Sequence, residues 1–398
     1  MVQRAEHPGP TEGTGNVLRV ETVIVGAGPA GLSVAACLQR VGVPFVVLER
    51  GDRVGASWDR HYERLHLHTD KTRSELPYFP FPKRYPKYPS RAQMIAYLES
   101  YARHFGLQPR FCQDVVSARP WDGRWYTRTQ DTVYVSRHLV VATGYNGRPH
   151  MPTWPGQETF VGEIVHSSAY SNGTPYRGKR VLVVGFGNSA GEIAIDLWEH
   201  GAKPTLAVRG PVNVIPRDLL GIPILAIAIP LGKLPRRLAD ALTAPIVRLV
   251  FGDLGRLGLR KSPGGPFTQI QQRGQIPLID VGTIDLIRKG HIEVRPGVEQ
   301  LAGRDVVFAD GTRQQFDALI LATGYRPAVN TLLEQASPAI DEHGNPRQSG
   351  HESLVAGLYF CGFYVSPTGM LRAIAAEAKQ IARDIAQKHA GALSAWKS

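Results

Sequence analysis

Two strand–turn–helix units of matched design predict an α/β fold with two dinucleotide-binding, Rossmann-like domains. The first opens on the apolar run Val23–Val25 and turns through Gly26-Ala27-Gly28-Pro29-Ala30-Gly31. A second apolar run, Phe45–Leu48, then ends in Glu49, 23 residues after Gly26. The other unit opens on Val181–Val184 and turns through Gly185-Phe186-Gly187-Asn188-Ser189-Ala190-Gly191. Its second run, Leu206–Val208, ends in Arg209, 24 residues after Gly185. A third observation orders the domains. Leu139-Val140-Val141-Ala142-Thr143-Gly144-Tyr145 recurs as Leu319-Ile320-Leu321-Ala322-Thr323-Gly324-Tyr325, two buried strands ending alike, followed by Pro149 and Pro327. They read as two crossings, so the second domain is inserted within the first.

Each position of the first turn has a physical task. Gly26 makes the tight turn, Gly28 admits a pyrophosphate to the backbone, and Gly31 lets helix and strand pack closely. Pro29 and Ala30 open the helix, whose unpaired N–H groups receive the phosphates. Glu49, followed by Arg50, suits the ribose diol of an unphosphorylated dinucleotide. In the second turn Gly185 and Gly187 repeat these tasks, and Ala190 stands where the third glycine would lie. Asn188 and Ser189 either contact phosphate or cap the helix. Arg209 suits a 2′-phosphate, hence NADPH, against the alternative of an ordinary solvated arginine. At the crossings, Thr143 and Gly144 are assigned to the first cofactor, and Thr323, Gly324 and Tyr325 to the second.

Composition bounds the function. The 398 residues exceed one typical domain, and 43% hydrophobic with 20% charged content is ordinary for a globular protein. Cys37, Cys112 and Cys361 form no C-x-x-C pair, which argues for a reducing, cytoplasmic setting and against a metal site or dithiol centre. The net charge of +12 favours anionic ligands. Its basic residues are scattered, so nucleic acid is not an expected partner. The most apolar stretch, Leu219–Leu231, has 13 residues with Pro223 and Pro230 and is too short to span a bilayer. Core packing, a substrate tunnel, a subunit contact and a membrane surface remain open for it.

Along the chain, residues 1–17 read as a disordered lead-in and 18–148 as the first part of the first domain. Residues 149–322 form the inserted NADPH domain, with an apolar excursion at 212–260, and 323–398 return to the first domain. Within these spans, Ser90 is the expected N-cap of a helix over 91–105 with Ile95, Leu98 and Ala102 on one face. Val306–Phe308 with Asp310-Gly311 signals a hairpin. Leu358–Phe363 reads as a buried strand reaching Gly362, and a helix over 371–387 follows with its start toward the first cofactor.

Phe160-x-Gly162-x-x-x-His166-x-x-x-Tyr170, between the two turns, resembles the identifying sequence of flavin-containing monooxygenases. Tyr170, in place of the tryptophan of Baeyer–Villiger relatives, points to the former group. Leu76-Pro77 with the Phe-Pro repeats, Tyr88-Pro89-Ser90, Tyr97-Leu98-Glu99-Ser100-Tyr101-Ala102, Gly187-Asn188-Ser189 and Gln275–Gly282 narrow the resemblance to the plant YUCCA enzymes, over about residues 20–385. The resemblance implies FAD on the first domain, NADPH on the second and O2 as co-substrate. It further implies a C4a-(hydro)peroxyflavin that oxidatively decarboxylates an aromatic α-keto acid, indole-3-pyruvate, to indole-3-acetate. It gives Phe160, Gly162, His166 and Tyr170 a domain-coupling role. Ala190-Gly191 departs from the usual Gly-Met, and His66–Lys71 lacks the asparagine of N- and S-oxidising relatives; oxygenation of a small amine or sulfide is the alternative. No side-chain nucleophile is needed. Trp58 and His68 are expected in the flavin pocket, with core packing and solvent exposure as their respective alternatives. The oligomeric state is not legible.

Overall fold

The computed structural model describes residues 16–335 and 337–395. Strand β1 (Asn16–Val25) leads through the first turn into helix α1 (Pro29–Arg40) and strand β2 (Phe45–Leu48). Helix α2 (Arg91–His104) precedes β3 (Ser117–Trp121), β4 (Arg124–Arg128) and β5 (Thr132–Val141). After the first crossing come β6 (Glu163–His166), β7 (Arg180–Val184), helix α3 (Asn188–Glu199) and β8 (Lys203–Ala207). Helices α4 (Ile224–Leu231), α5 (Arg236–Phe251) and α6 (Pro266–Arg273) precede β9 (Glu293–Arg295) and β10 (Ala318–Leu321). Strand β11 (Leu358–Phe360) and helix α7 (Met370–Ala395) complete the described chain.

The strands form two main sheets. In the first, the order is β2-β1-β5-β4-β3, with β11 also on β5; β2, β1, β5 and β11 run parallel, and β4 and β3 antiparallel. In the second, five parallel strands take the order β9-β8-β7-β10-β6. Strands β8, β7 and β10 thus stand to one another as β2, β1 and β5 do. Parallel strands covered on both faces are near-continuously apolar, which is why Val23–Val25, Val181–Val183 and Leu319–Leu321 are unbroken buried runs.

One core lies beneath α1, α2 and α7, where Leu32, Leu38, Tyr97, Tyr101, Ile381 and Ile385 are buried. Another packs α3 against the second sheet through Val183, Ile193, Leu197, Leu206 and Ile320, and it also buries Tyr62 from the first part of the chain.

Several expectations need adjusting. Residues 1–15 of the expected lead-in lie outside the described residues, whereas Asn16 and Val17 already belong to β1, paired with Thr132 and Val133. Ser90 caps α2 in a full capping box with Gln93, but the buried face is Met94, Tyr97, Leu98, Tyr101 and Ala102, and Ile95 is half-buried. Helix α7 continues to Ala395. The hairpin is present as Asp305–Phe308 against Arg313–Gln315. In the apolar excursion, Leu219 pairs with Ile222 in a small hairpin whose tip, Leu220, is exposed. Helices α4, α5 and α6 then close around an apolar cavity of about 50 Å³ lined by Ile224, Ile227, Ile246, Phe267, Ile270 and Pro367.

Candidate functional site

A cleft of about 450 Å³ opens at the carboxyl ends of β1, β2 and β5. Its walls include Gly26, Gly28, Pro29, Ala30, Glu49, Arg50, Thr143, Gly144 and Gly362, joined by Ser57, Arg60, Gln113 and Ile374, which the sequence did not single out. Gly26 has φ +109°, and a Cβ there would lie 2.6 Å from the Ala142 carbonyl oxygen. A Cβ on Gly31 would lie 1.8 Å from the Gly26 carbonyl oxygen, so only glycine fits. Gly28 faces open space and caps α1 without any side-chain hydrogen bond. The first N–H groups of α1 are therefore free of side-chain caps and face a cleft, an anion cradle that fits a pyrophosphate. Glu49 reaches across the turn: its Oε2 accepts from Ala27 N–H (2.7 Å) and its Oε1 from Gly51 N–H (2.8 Å). Those bonds fix the carboxylate at the strand end, with lone pairs left for a diol.

Trp58 is not a wall of this cleft. It packs half-buried on the first core, edge-on to His61 at 5.9 Å between ring centroids.

The second turn repeats the first with one change. Gly185 has φ +130°, and a Cβ there would lie 2.4 Å from the Ala322 carbonyl oxygen. The backbone carbonyl ending each crossing strand thus rests on the first glycine of its turn, in both units alike. Gly187 is open and caps α3 without a side-chain bond, a second anion cradle. Ala190 is fully buried, and the close approach falls on Gly191, where a Cβ would meet Thr283 Oγ1 at 2.8 Å. Asn188 neither caps the helix nor faces a phosphate with its oxygen: Oδ1 accepts from Ile279 N–H at 2.8 Å. It thereby anchors strand Leu278–Asp280, which pairs with Val214–Pro216. Arg209 is exposed just beyond β8, and its carbonyl accepts from the Arg260 guanidinium at 2.6 Å, so two cations share that edge.

The crossings meet as an antiparallel ribbon, Tyr325 opposite Pro149 and Arg326 opposite Arg148. Gly144 (φ +83°) and Gly324 (φ +82°) adopt the same left-handed conformation. Thr323 Oγ1 donates to the His150 carbonyl, and His150 N–H donates to that of Gly324 at 2.9 Å. His166 ends β6 and joins this ribbon. Its Nδ1 accepts from Ser168 N–H (3.1 Å), leaving Nε2 to donate to the Gly324 carbonyl at 3.0 Å. Burial lowers its pKa, which keeps the ring neutral, and the ring meets Tyr325 edge-on at 5.0 Å. A Cβ on Gly162 would strike the Asp317 carbonyl at 2.5 Å and the Phe160 ring at 2.6 Å. Tyr170 is buried and donates to Asp196 Oδ2 on α3 at 2.5 Å. The motif therefore lies along β6, tying α3 and the second crossing together.

His68 faces neither solvent nor the cleft: its Nε2 donates to Glu192 Oε1 on α3 at 2.9 Å. Tyr62, Arg64 and Glu192 complete a contact between the units that no local pattern announced; Arg64 and Glu199 are 135 residues apart. The three cysteines are unpaired, Cys37 and Cys361 buried and Cys112 exposed.

A family profile described as pyridine nucleotide-disulphide oxidoreductase matches residues 23–218. The rice protein "Indole-3-pyruvate monooxygenase YUCCA1" is 42% identical over 371 residues, covering 91% of this chain and 90% of the relative. The chain belongs to the YUCCA family of flavin monooxygenases. Arabidopsis thaliana "Indole-3-pyruvate monooxygenase YUCCA6" is 41% identical, covering 91% of this YUCCA-family chain and 89% of its own. Among solved structures, a flavin-containing monooxygenase from Stenotrophomonas maltophilia superposes with a TM-score of 0.72 at 24% identity, covering 93% and 99% of the two chains. A bacillithiol disulfide reductase from Bacillus cereus gives 0.68 at 20%, over 93% and 99%. These two likenesses establish the fold. The YUCCA-family chain is an FAD- and NADPH-dependent monooxygenase, and its two uncapped cradles fit those cofactors. No helix among the described residues is long and apolar enough to cross a membrane.

Proposed function

We propose that this enzyme oxidatively decarboxylates an aromatic α-keto acid, indole-3-pyruvate, to indole-3-acetate. The observation that carries this is the 42% identity, spread over nine-tenths of both chains, to a protein named for that substrate. The balanced reaction takes the keto acid, O2, NADPH and a proton to the shortened acid, CO2, NADP+ and water. Flavin, when bound, supplies the oxygen activation. The chain supplies binding and orientation. FAD lies on Gly26, Gly28, Pro29, Ala30 and Gly31, with Glu49 at its ribose and Arg50, Thr143, Gly144 and Gly362 around it. NADPH lies on Gly185, Gly187, Ser189 and Ala190, with Arg209 at its 2′-phosphate and Thr323, Gly324 and Tyr325 beneath. Phe160, Gly162, His166 and Tyr170 hold the second unit to the crossing. The net charge of +12 attracts an anionic substrate and both cofactors. A cytoplasmic location belongs to the same proposal, supported by three unpaired thiols.

The test supplies the FAD-loaded enzyme with NADPH, ¹⁸O2 and indole-3-pyruvate. One labelled indole-3-acetate per NADPH is expected. NADPH consumption accelerated only by amines or sulfides overturns the keto-acid assignment in favour of N- or S-oxygenation.

A further inference from the structure

Residues 62–69 belong to the flavin unit by sequence, yet they lie on the NADPH unit. Tyr62 is buried in the second core and Leu65 packs against it. Glu63 N–H donates to the Ser171 carbonyl at 2.9 Å. Arg64 clamps Glu199 on α3 with both arms of its guanidinium, at 3.0 and 2.7 Å. His68 Nε2 meets Glu192 Oε1 at 2.9 Å, with both side chains largely withdrawn from water. One residue on, Thr69 stands against Gly369, where a Cβ would lie 3.3 Å from its methyl group. Gly369 precedes α7, whose Ile374 lines the flavin cleft. A single strap thus touches the starts of both α3 and α7.

Glu192 is the unusual member. Its side chain is only 3% exposed, and it sits one turn into the helix whose N-terminus forms the NADPH cradle. A carboxylate there draws on the same positive helix end as a bound pyrophosphate does. Buried and without a donor, it would oppose the polyanionic cofactor. The hydrogen-bond donor to its Oε1 comes from the other unit. The Tyr62 hydroxyl lies against the same carboxylate and against Ser189, so the strap reaches the second turn itself.

We propose that His68 and Glu192 are a positioning pair which makes NADP(H) affinity conditional on the flavin-side strap being seated. With His68 in place the carboxylate is held by a hydrogen bond and the cradle accepts the cofactor. With the strap displaced, the carboxylate repels it. The inference does not depend on which substrate is oxidised.

Calorimetric titration of the FAD-loaded enzyme with NADP+, without substrate or turnover, tests it. His68→Ala is expected to weaken NADP+ about tenfold with FAD retained. Glu192→Gln, which keeps shape but removes charge, is expected to bind NADP+ at least as tightly as the wild type. Combining the two should return affinity to within about twofold of wild type. A strap that merely braces the fold gives the opposite pattern: Glu192→Gln weakens NADP+ as His68→Ala does, or the double variant stays as weak as His68→Ala. Either result overturns the proposal. Should His68→Ala fail to accumulate, the sign of the Glu192→Gln effect still decides. Hydrogen exchange in the NADP-free enzyme supplies a second readout. His68→Ala should expose amides of residues 62–69 while those in the middle of α3 stay protected.

Discussion

Single atoms decide much of the site. Gly31 has no room for a methyl group because the Gly26 carbonyl oxygen occupies it, whereas the matched position in the second unit, Ala190, is filled and fully buried. The two turns are therefore not copies: the second shifts its close contact to Gly191 against Thr283. Charge separates them further, Glu49 at one strand end and Arg209 at the other. A guanidinium on a phosphate is worth about 1.5–3 kcal/mol as a charge-assisted hydrogen bond. Arg209→Ala should accordingly raise the NADPH Kd roughly ten- to a hundredfold and leave that of NADH within about twofold. Equal weakening of both, measured by titration of the FAD-loaded enzyme, would remove Arg209 from the 2′-phosphate. These residues were legible in the sequence because glycine spacing and a strand-end charge are local signals. Asn188 was legible only as a polar residue at a helix start. Its bond to Ile279 N–H, 91 positions away, is not written locally.

Elements follow the same division. Apolar runs announced β1, β2, β5, β7 and β10 because strands buried on both faces read as near-continuous hydrophobic stretches. The ends were less legible, since pairing of Asn16 with Thr132 and the packing of α7 on α1 are tertiary contacts that extend each element past its local signal. Strand β5 also carries a buried histidine. His138 lies edge-on to Tyr359 at 6.0 Å, faced by Glu21, Arg137, Glu352, Lys388 and His389. Burial pulls its pKa down to about 4, against the opposing pull of Glu21. The unfolded chain takes up this proton near pH 6.5, and the folded chain resists until about pH 4. Its contribution is therefore intact above pH 6.5 and is lost as pH falls toward 4, by about 3 kcal/mol at most. His138→Leu should flatten the decline of Tm between pH 6.5 and 4.5. A decline as steep as in wild type would assign the acid sensitivity to the carboxylates instead.

At the scale of the whole molecule, two domains are joined by more than their two crossings. The crossings form a ribbon sealed by His166, the 62–69 strap inserts Tyr62 into the second core, and Lys87 and Tyr88 grip Asp218 of the apolar excursion. Polar interfaces of modest area leave domains free to unfold separately. An aromatic side chain buried in the neighbour's core adds a contact that neither unit can keep alone, and its loss costs about 3–5 kcal/mol. The FAD-loaded enzyme should therefore unfold in one calorimetric transition, because melting of the second core releases the strap and the turn before α7 with it. Tyr62→Ala should split that transition in two, the earlier one stabilised by NADP+ and the later one by FAD. Two transitions already present in the wild-type enzyme would show that the strap does not join the cores. A single transition retained in Tyr62→Ala would place the coupling in the ribbon around His166 and Gly324.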